Sequence, residues 1–248
     1  MNFQEHRKLI KKLKRQITEP PSLDILQLLL SELQYTMQDN PDLGTDERKY
    51  VFSYSGFIKR WSLQRLQQTL DPQWDKLYWD TMLFEARNRV VDSYLIYLEK
   101  NRDPEDRFYE PRRKQFLKMG FTQALQDLID DEIDILSIST VPGSGKTTLG
   151  EMFMSGFMGW FPDLCNLFSS HSGHVTRMVY QVVCNIIGIG LKPGQIPEYT
   201  WREIFPDVEV ESNNANEQEI NLGKFKPFKT LTCRALGASQ TGVTRCEG

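Results

Sequence analysis

Residues 135–153, ILSISTVPGSGKTTLGEMF, run from an apolar stretch through a Pro/Gly/Ser turn into Gly145-Lys146-Thr147-Thr148 and then a helical pattern. Ile133, Ile135, Leu136 and Ile138 form a nearly continuous apolar run, so residues 133–140 are predicted as a central parallel strand buried on both faces. Gly143 and Gly145 permit a tight turn that aims consecutive N–H groups inward. A helix start directly after such a nest attracts phosphate through unsatisfied amides and partial positive charge. Lys146 adds a full charge, and in a phosphate-binding loop the next hydroxyl, here Thr147, completes the shell of a Mg²⁺ ion. The spacing meets G-x-x-x-x-G-K-[ST] except at its first position, where Thr140 stands. Leu149, Met152, Phe153 and Phe157 then predict an amphipathic helix from Lys146 to about Trp160. The expected occupant of Gly143, Ser144, Gly145, Lys146, Thr147 and Thr148 is the phosphate chain of a nucleotide such as ATP, with Mg²⁺. A glycine turn before an ordinary helix is the plain alternative.

Working outward, residues 1–105 read as helical throughout. A short basic helix is broken by Pro20-Pro21, Ser22 caps a helix carrying Leu23, Leu26, Leu30 and Leu33, and Asp71-Pro72 opens a long helical segment ending near Asn101. From Phe108 the pattern alternates helix and strand, which predicts a parallel α/β sheet over residues 106–248. One helix is expected over residues 112–130, strands over 165–170 and 229–234, and an amphipathic helix through Val175, Val179, Val183 and Ile187. Residues 193–216 read mostly as loop around a short turn at 201–205, and "INLG" after Glu219 as a weak strand at best.

The 248 residues suffice for a sizeable core, with 40% hydrophobic and 25% charged residues. A net charge of −3 argues against a generally basic nucleic-acid coat, leaving only local contact. Arg7, Lys8, Lys11, Lys12, Lys14 and Arg15 form such a local basic run, suited to DNA phosphates or to a solvated helix face. Cys165, Cys184, Cys233 and Cys246 lie far apart with no C-x-x-C pair, the pattern of reduced thiols in a cytosolic protein. No apolar run approaches the roughly 20 residues a bilayer span requires, so no membrane association is expected.

Five stretches carry a resemblance: FYEPRRKQFL (108–117), LQDLIDDEIDILSISTVPGSGKTTL (125–149), SSHSGHVTR (169–177), YTWREIFPDVEV (199–210) and FKTLTCRALGASQTGVTR (228–245). In these the chain resembles the ATPase part of tailed-phage terminase large subunits, the motors that pump DNA into proheads. The resemblance covers roughly the last 140 residues, with residues 1–105 matching only as a variable helical leader. It implies a P-loop NTPase-type parallel sheet flanked by helices, here incomplete, and an all-helical region before it. It also implies ATP and Mg²⁺ as cofactors, and double-stranded DNA, a portal protein and a small terminase subunit as partners. A homo-oligomeric ring and a place in the host-cell cytoplasm follow from it as well.

By that resemblance the acidic Walker B strand and a nuclease domain would lie beyond Gly248. Neither Asp207, in polar loop sequence beside Pro206, nor Glu219 stands at the end of an apolar strand, where the carboxylate of a hydrolysing P-loop enzyme is required. The resemblance also places Arg112 and Gln115 on the adenine side, with Arg113 beside them, and Thr241-Gly242 in a loop near the phosphates. Arg177 becomes the candidate finger supplied in trans, and Lys146 and Arg177 the catalytic pair. Many relatives carry an arginine inside the phosphate loop, whereas this chain has Pro142-Gly143-Ser144. His171 and His174 lack the cysteine or acidic partners of a zinc site. Three functions compete: the nucleotide-binding part of a packaging ATPase, a small-molecule P-loop kinase, and a non-catalytic nucleotide-binding or assembly module.

Overall fold

The computed structural model describes residues 1–192, 194–224 and 226–236. Among them are ten α-helices and one four-stranded sheet, and the chain divides into two compact units, Met1–Ser93 and Tyr94–Gly248. The chain is therefore a mixed α/β protein.

The first unit is helical. It holds α1 (Phe3–Gln16), α2 (Leu23–Asp39), α3 (Thr45–Thr69), α4 (Pro72–Arg87) and the start of α5 (Val91–Leu98). Local chemistry sets the starts: the Asn2 side chain accepts from the Glu5 N–H while the Glu5 carboxylate accepts from the Asn2 N–H, each at 3.0 Å, a reciprocal cap. Asp71 caps α4 through the Gln73 N–H at 2.9 Å, with Pro72 in the first turn. The apolar stripes then meet in a core built from Phe3, Ile10, Leu26, Leu33, Val51, Ile58, Trp74 and Leu77. The segment expected as one long helix breaks between α4 and α5, where Arg89 takes φ 68°. The Asn88 side chain there donates to the Phe84 carbonyl at 2.7 Å. Buried Glu85 is satisfied by Ser55, Lys59 and Ser93.

The second unit carries α6 (Tyr109–Lys118), α7 (Phe121–Ile129), α8 (Lys146–Trp160), β1 (Asn166–Ser170), α9 (Gly173–Ile187), α10 (Trp201–Ile204), β2 (Val210–Asn214), β3 (Glu219–Leu222) and β4 (Leu231–Ala235). The sheet order is β1-β4-β3-β2. Only β1 and β4 are parallel, with Asn166 opposite Leu231 and Ser170 opposite Ala235. The other pairings are antiparallel. Helix α9 lays Val179, Val183 and Ile187 toward β4 and β1, and α8 packs beside α9. Rings of Tyr94, Trp160, Trp201 and Phe205 cluster around α8, and Tyr94 and Phe205 approach it so closely at Gly156 and Gly159 that no Cβ would fit there.

Three expectations are corrected. Residues 133–140 form no strand, and Ile135 is 86% exposed. A strand buried on both faces needs ladder partners for its N–H and C=O groups, and none of the described strands pairs with this run. The sheet is mixed rather than parallel, because residues 210–222 close into a hairpin. Strand β2, VESNN, is too polar to show an alternating pattern and acquires its place by pairing with buried β3. The single helix expected over 112–130 is two, α6 and α7, separated at Gly120.

Candidate nucleotide site

The loop before α8 has the backbone a phosphate nest requires. Gly143 and Gly145 adopt φ +80° and +84°, left-handed conformations that favour glycine, and Gly145 is the N-cap of α8. Gly145 offers no side-chain cap and no acidic residue stands in the first turn, so the opening amides and the positive end of the helix dipole are uncompensated from within α8. Lys146 and Thr147 are exposed and Thr148 is half-buried.

Across the base of the loop the Thr140 hydroxyl meets the Ser144 hydroxyl at 2.5 Å, and the Ser144 N–H donates to the Val141 carbonyl at 3.3 Å. The residue that breaks the glycine motif therefore contributes a side-chain clasp. Lys146 Nζ reaches back to the Thr140 carbonyl at 3.5 Å, a long contact that leaves the ammonium available. The donor set suits a phosphate chain. For Mg²⁺ it offers the Thr147 hydroxyl, and among the described residues no carboxylate pairs with Lys146 or Thr147.

Phe108 joins the expected base-side helix to this loop. A Cβ built on Gly145 would fall 2.5 Å from Phe108 Cζ, so the ring lies directly against the loop backbone. On the same phenyl ring sits the Arg112 guanidinium, 4.8 Å from its centroid, and Arg112 also donates to the Phe108 carbonyl at 3.0 Å. Arg112 is thus brought near the loop through Phe108. Exposed Gln115 and Arg177 are not joined to the loop by any hydrogen bond or ion pair. Thr241 and Gly242 lie outside the described residues.

Comparison with known proteins returns no matching family model, no matching curated protein and no matching solved structure. The assignment of the site rests on its own geometry and on the sequence resemblance.

Sequence reading missed two buried acids on or beside the elements that carry this site, Glu99 and Glu151. Glu99, 1% exposed, accepts from the Phe108 N–H at 2.8 Å, the Tyr109 N–H at 2.7 Å and Arg102 at 3.2 Å. It caps α6 from the turn that follows α5, replacing the side-chain cap that Phe108 cannot supply. No local signal in YLEKNRD marks it, since the partners lie nine and ten residues away. Glu151, on α8 one turn past Thr147, is 8% exposed, and burial pushes its carboxyl up to about 7. Its position on the inward stripe of α8 between Leu149 and Met152 was visible in the sequence as an acid in an apolar face.

Elsewhere, Glu219 is engaged by Arg234 at 3.2 Å and Asp207 is exposed in the turn after α10. His171 and His174 are exposed at the start of α9, and among the described residues no group of three His, Cys, Asp or Glu side chains is placed to hold a metal. Cys184 and Cys233 are free thiols, and burial pushes Cys233 up to about 12. No helix among the described residues is long and apolar enough to cross a membrane.

Proposed function

We propose that this chain binds ATP through residues 140–148, and that it is the nucleotide-binding part of a motor like the terminase large subunits, acting on double-stranded DNA. The observation that carries the reading is the loop itself. Two left-handed glycines precede a helix whose first turn presents exposed Lys146 and Thr147. Backbone amides and Lys146 would hold the β- and γ-phosphates, and the Thr147 hydroxyl would face Mg²⁺. Bound Mg²⁺ supplies charge neutralisation of the phosphates. Arg112, stacked on Phe108, and Gln115 on the next turn of α6 would lie toward the base, and Arg177, exposed on α9, would serve a neighbouring subunit. Portal protein, small terminase subunit and a ring of copies are the partners the resemblance implies.

A second reading, a nucleotide-binding module that does not hydrolyse, is favoured by the state of the acids that follow the loop. Asp207 is a solvated turn residue and Glu219 is held by Arg234. Loss of in-line water and metal positioning costs orders of magnitude in rate. This chain is therefore expected to bind ATP with negligible turnover.

ATP affinity and steady-state phosphate release on one preparation, with and without duplex DNA, test both readings. Saturable ATP binding lost in Lys146→Ala supports the site. Equal affinity in the two proteins overturns it. Robust Mg²⁺-dependent release that is accelerated by DNA would instead place an acid such as Asp207 or Glu219 in the reaction and reject the non-hydrolysing reading.

A further inference from the structure

Helix α1 concentrates positive charge in an otherwise acidic chain. It holds six of the 30 Lys and Arg residues and one of the 33 Asp and Glu residues, in a protein of net charge −3. Its orientation is fixed from three sides. Phe3, His6 and Ile10 are buried, and the His6 ring is held between the carboxylates of Glu32 at 2.7 Å and Asp39 at 3.0 Å. Arg7 lies over the Tyr50 ring at 5.0 Å and Lys14 over the Tyr54 ring at 5.4 Å, which uses up the two cations on the flank.

The remaining four, Lys8, Lys11, Lys12 and Arg15, follow an i, i+3, i+4, i+7 pattern. At about 100° per residue they project from the side opposite the buried Phe3-His6-Ile10 stripe. All four are exposed, and among the described residues none forms an ion pair. The single acid of the helix, Glu5, has its carboxylate occupied by the Asn2 N–H. From Lys8 to Arg15 the stripe runs about 10 Å.

We infer that this face of α1 is a docking surface for the phosphodiester backbone of double-stranded DNA, read without regard to sequence. Duplex DNA carries about one charge per 1.7 Å of axis, so a rigid 10 Å row of four cations meets a matching row of phosphates and gains by releasing their counterions. The outer face has no aromatic side chain on which unstacked bases would rest, the feature that single-strand sites depend on. The apolar face of α1 is spent on the core, so it is not available to enter a lipid surface as an interfacial helix requires. The inference does not rest on the phosphate-loop reading, since every residue it uses lies in the first unit.

The test uses the full chain without nucleotide. Binding of a labelled 20-base-pair duplex of mixed sequence is followed by fluorescence anisotropy across a range of KCl concentrations. A variant combining Lys8→Ala, Lys11→Ala, Lys12→Ala and Arg15→Ala is expected to bind at least roughly tenfold more weakly at low salt. Its slope of log affinity against log salt should be shallower by about 0.9 for each phosphate no longer neutralised. Replacing the three lysines by arginine should keep both properties. The proposal is overturned if the parent binds no duplex, if the alanine variant keeps its affinity and salt slope, or if a 20-nucleotide single strand binds more tightly. It is overturned equally if the substitutions abolish binding to phosphatidylserine-containing vesicles while duplex binding persists.

Discussion

The Phe108 ring rests on the backbone of Gly145, so closely that a methyl group on that residue would sit 2.5 Å from the ring. This contact ties the start of α6 to the turn before α8, and it gives Gly145 two reasons to lack a side chain: the φ of +84° and the ring beside it.

Gly145→Ala is expected to destabilise the protein by about 1–3 kcal/mol, through a strained φ and an overpacked contact. In the background of Phe108→Ala the steric part disappears, so the two substitutions should be non-additive in a double-mutant cycle followed by urea denaturation. Strict additivity would mean that the ring does not rest on Gly145 in solution.

Glu99→Gln should cost about 1.5–3 kcal/mol, because charge-assisted bonds to the Phe108 and Tyr109 N–H groups are weakened and one of them is removed. ATP affinity should fall with stability, since Glu99 sets the position of Phe108 against the loop. Glu99→Asp, which keeps the charge but shortens the reach, should fall between Gln and the parent. Unchanged thermal unfolding in Glu99→Gln would contradict the cap.

Glu151 makes stability depend on pH in a stated direction. Its carboxyl is raised from 4.5 in the unfolded chain to about 7 in the folded one, so between these values the folded state holds the extra proton. The contribution is fully present below about 4.5 and is lost as pH rises through about 7. Glu151→Gln, neutral at every pH, should therefore stabilise the protein at pH 8 by on the order of 1–3 kcal/mol relative to the parent. The difference should shrink toward pH 5, read as melting temperatures of both proteins in the same buffers.

Lys146→Ala should weaken ATP binding by more than about tenfold, or 1.4 kcal/mol, because a charge-assisted bond to phosphate is removed. The fold should be unaffected, since the exposed side chain makes only the long contact to Thr140. Isothermal titration and circular dichroism on the same samples separate the two effects.

Much of the local architecture was legible in the sequence. The periodic apolar stripes of α2 and α9, the cap at Asp71, and the glycine turn leading into Lys146–Trp160 depend on backbone preferences and spacings within a few residues, whereas Ser22 stands at the start of α2 without the expected side-chain cap bond. Residues 133–140 show where that reasoning ends. An apolar run states that a segment favours an extended, buried place, but strand formation needs hydrogen-bond partners from distant sequence, and the described sheet supplies none. The same holds in reverse for β2, whose polar residues join the sheet because β3 pairs with it. Phe108 against Gly145, separated by a helical hairpin and a loop, and Glu99 capping α6 from outside it are likewise tertiary facts. The chain's local chemistry determined most of the helical segments and the glycine turn before α8. Packing between remote segments decided which run became sheet and which side chains stand around that turn, because those free energies arise only when distant residues meet.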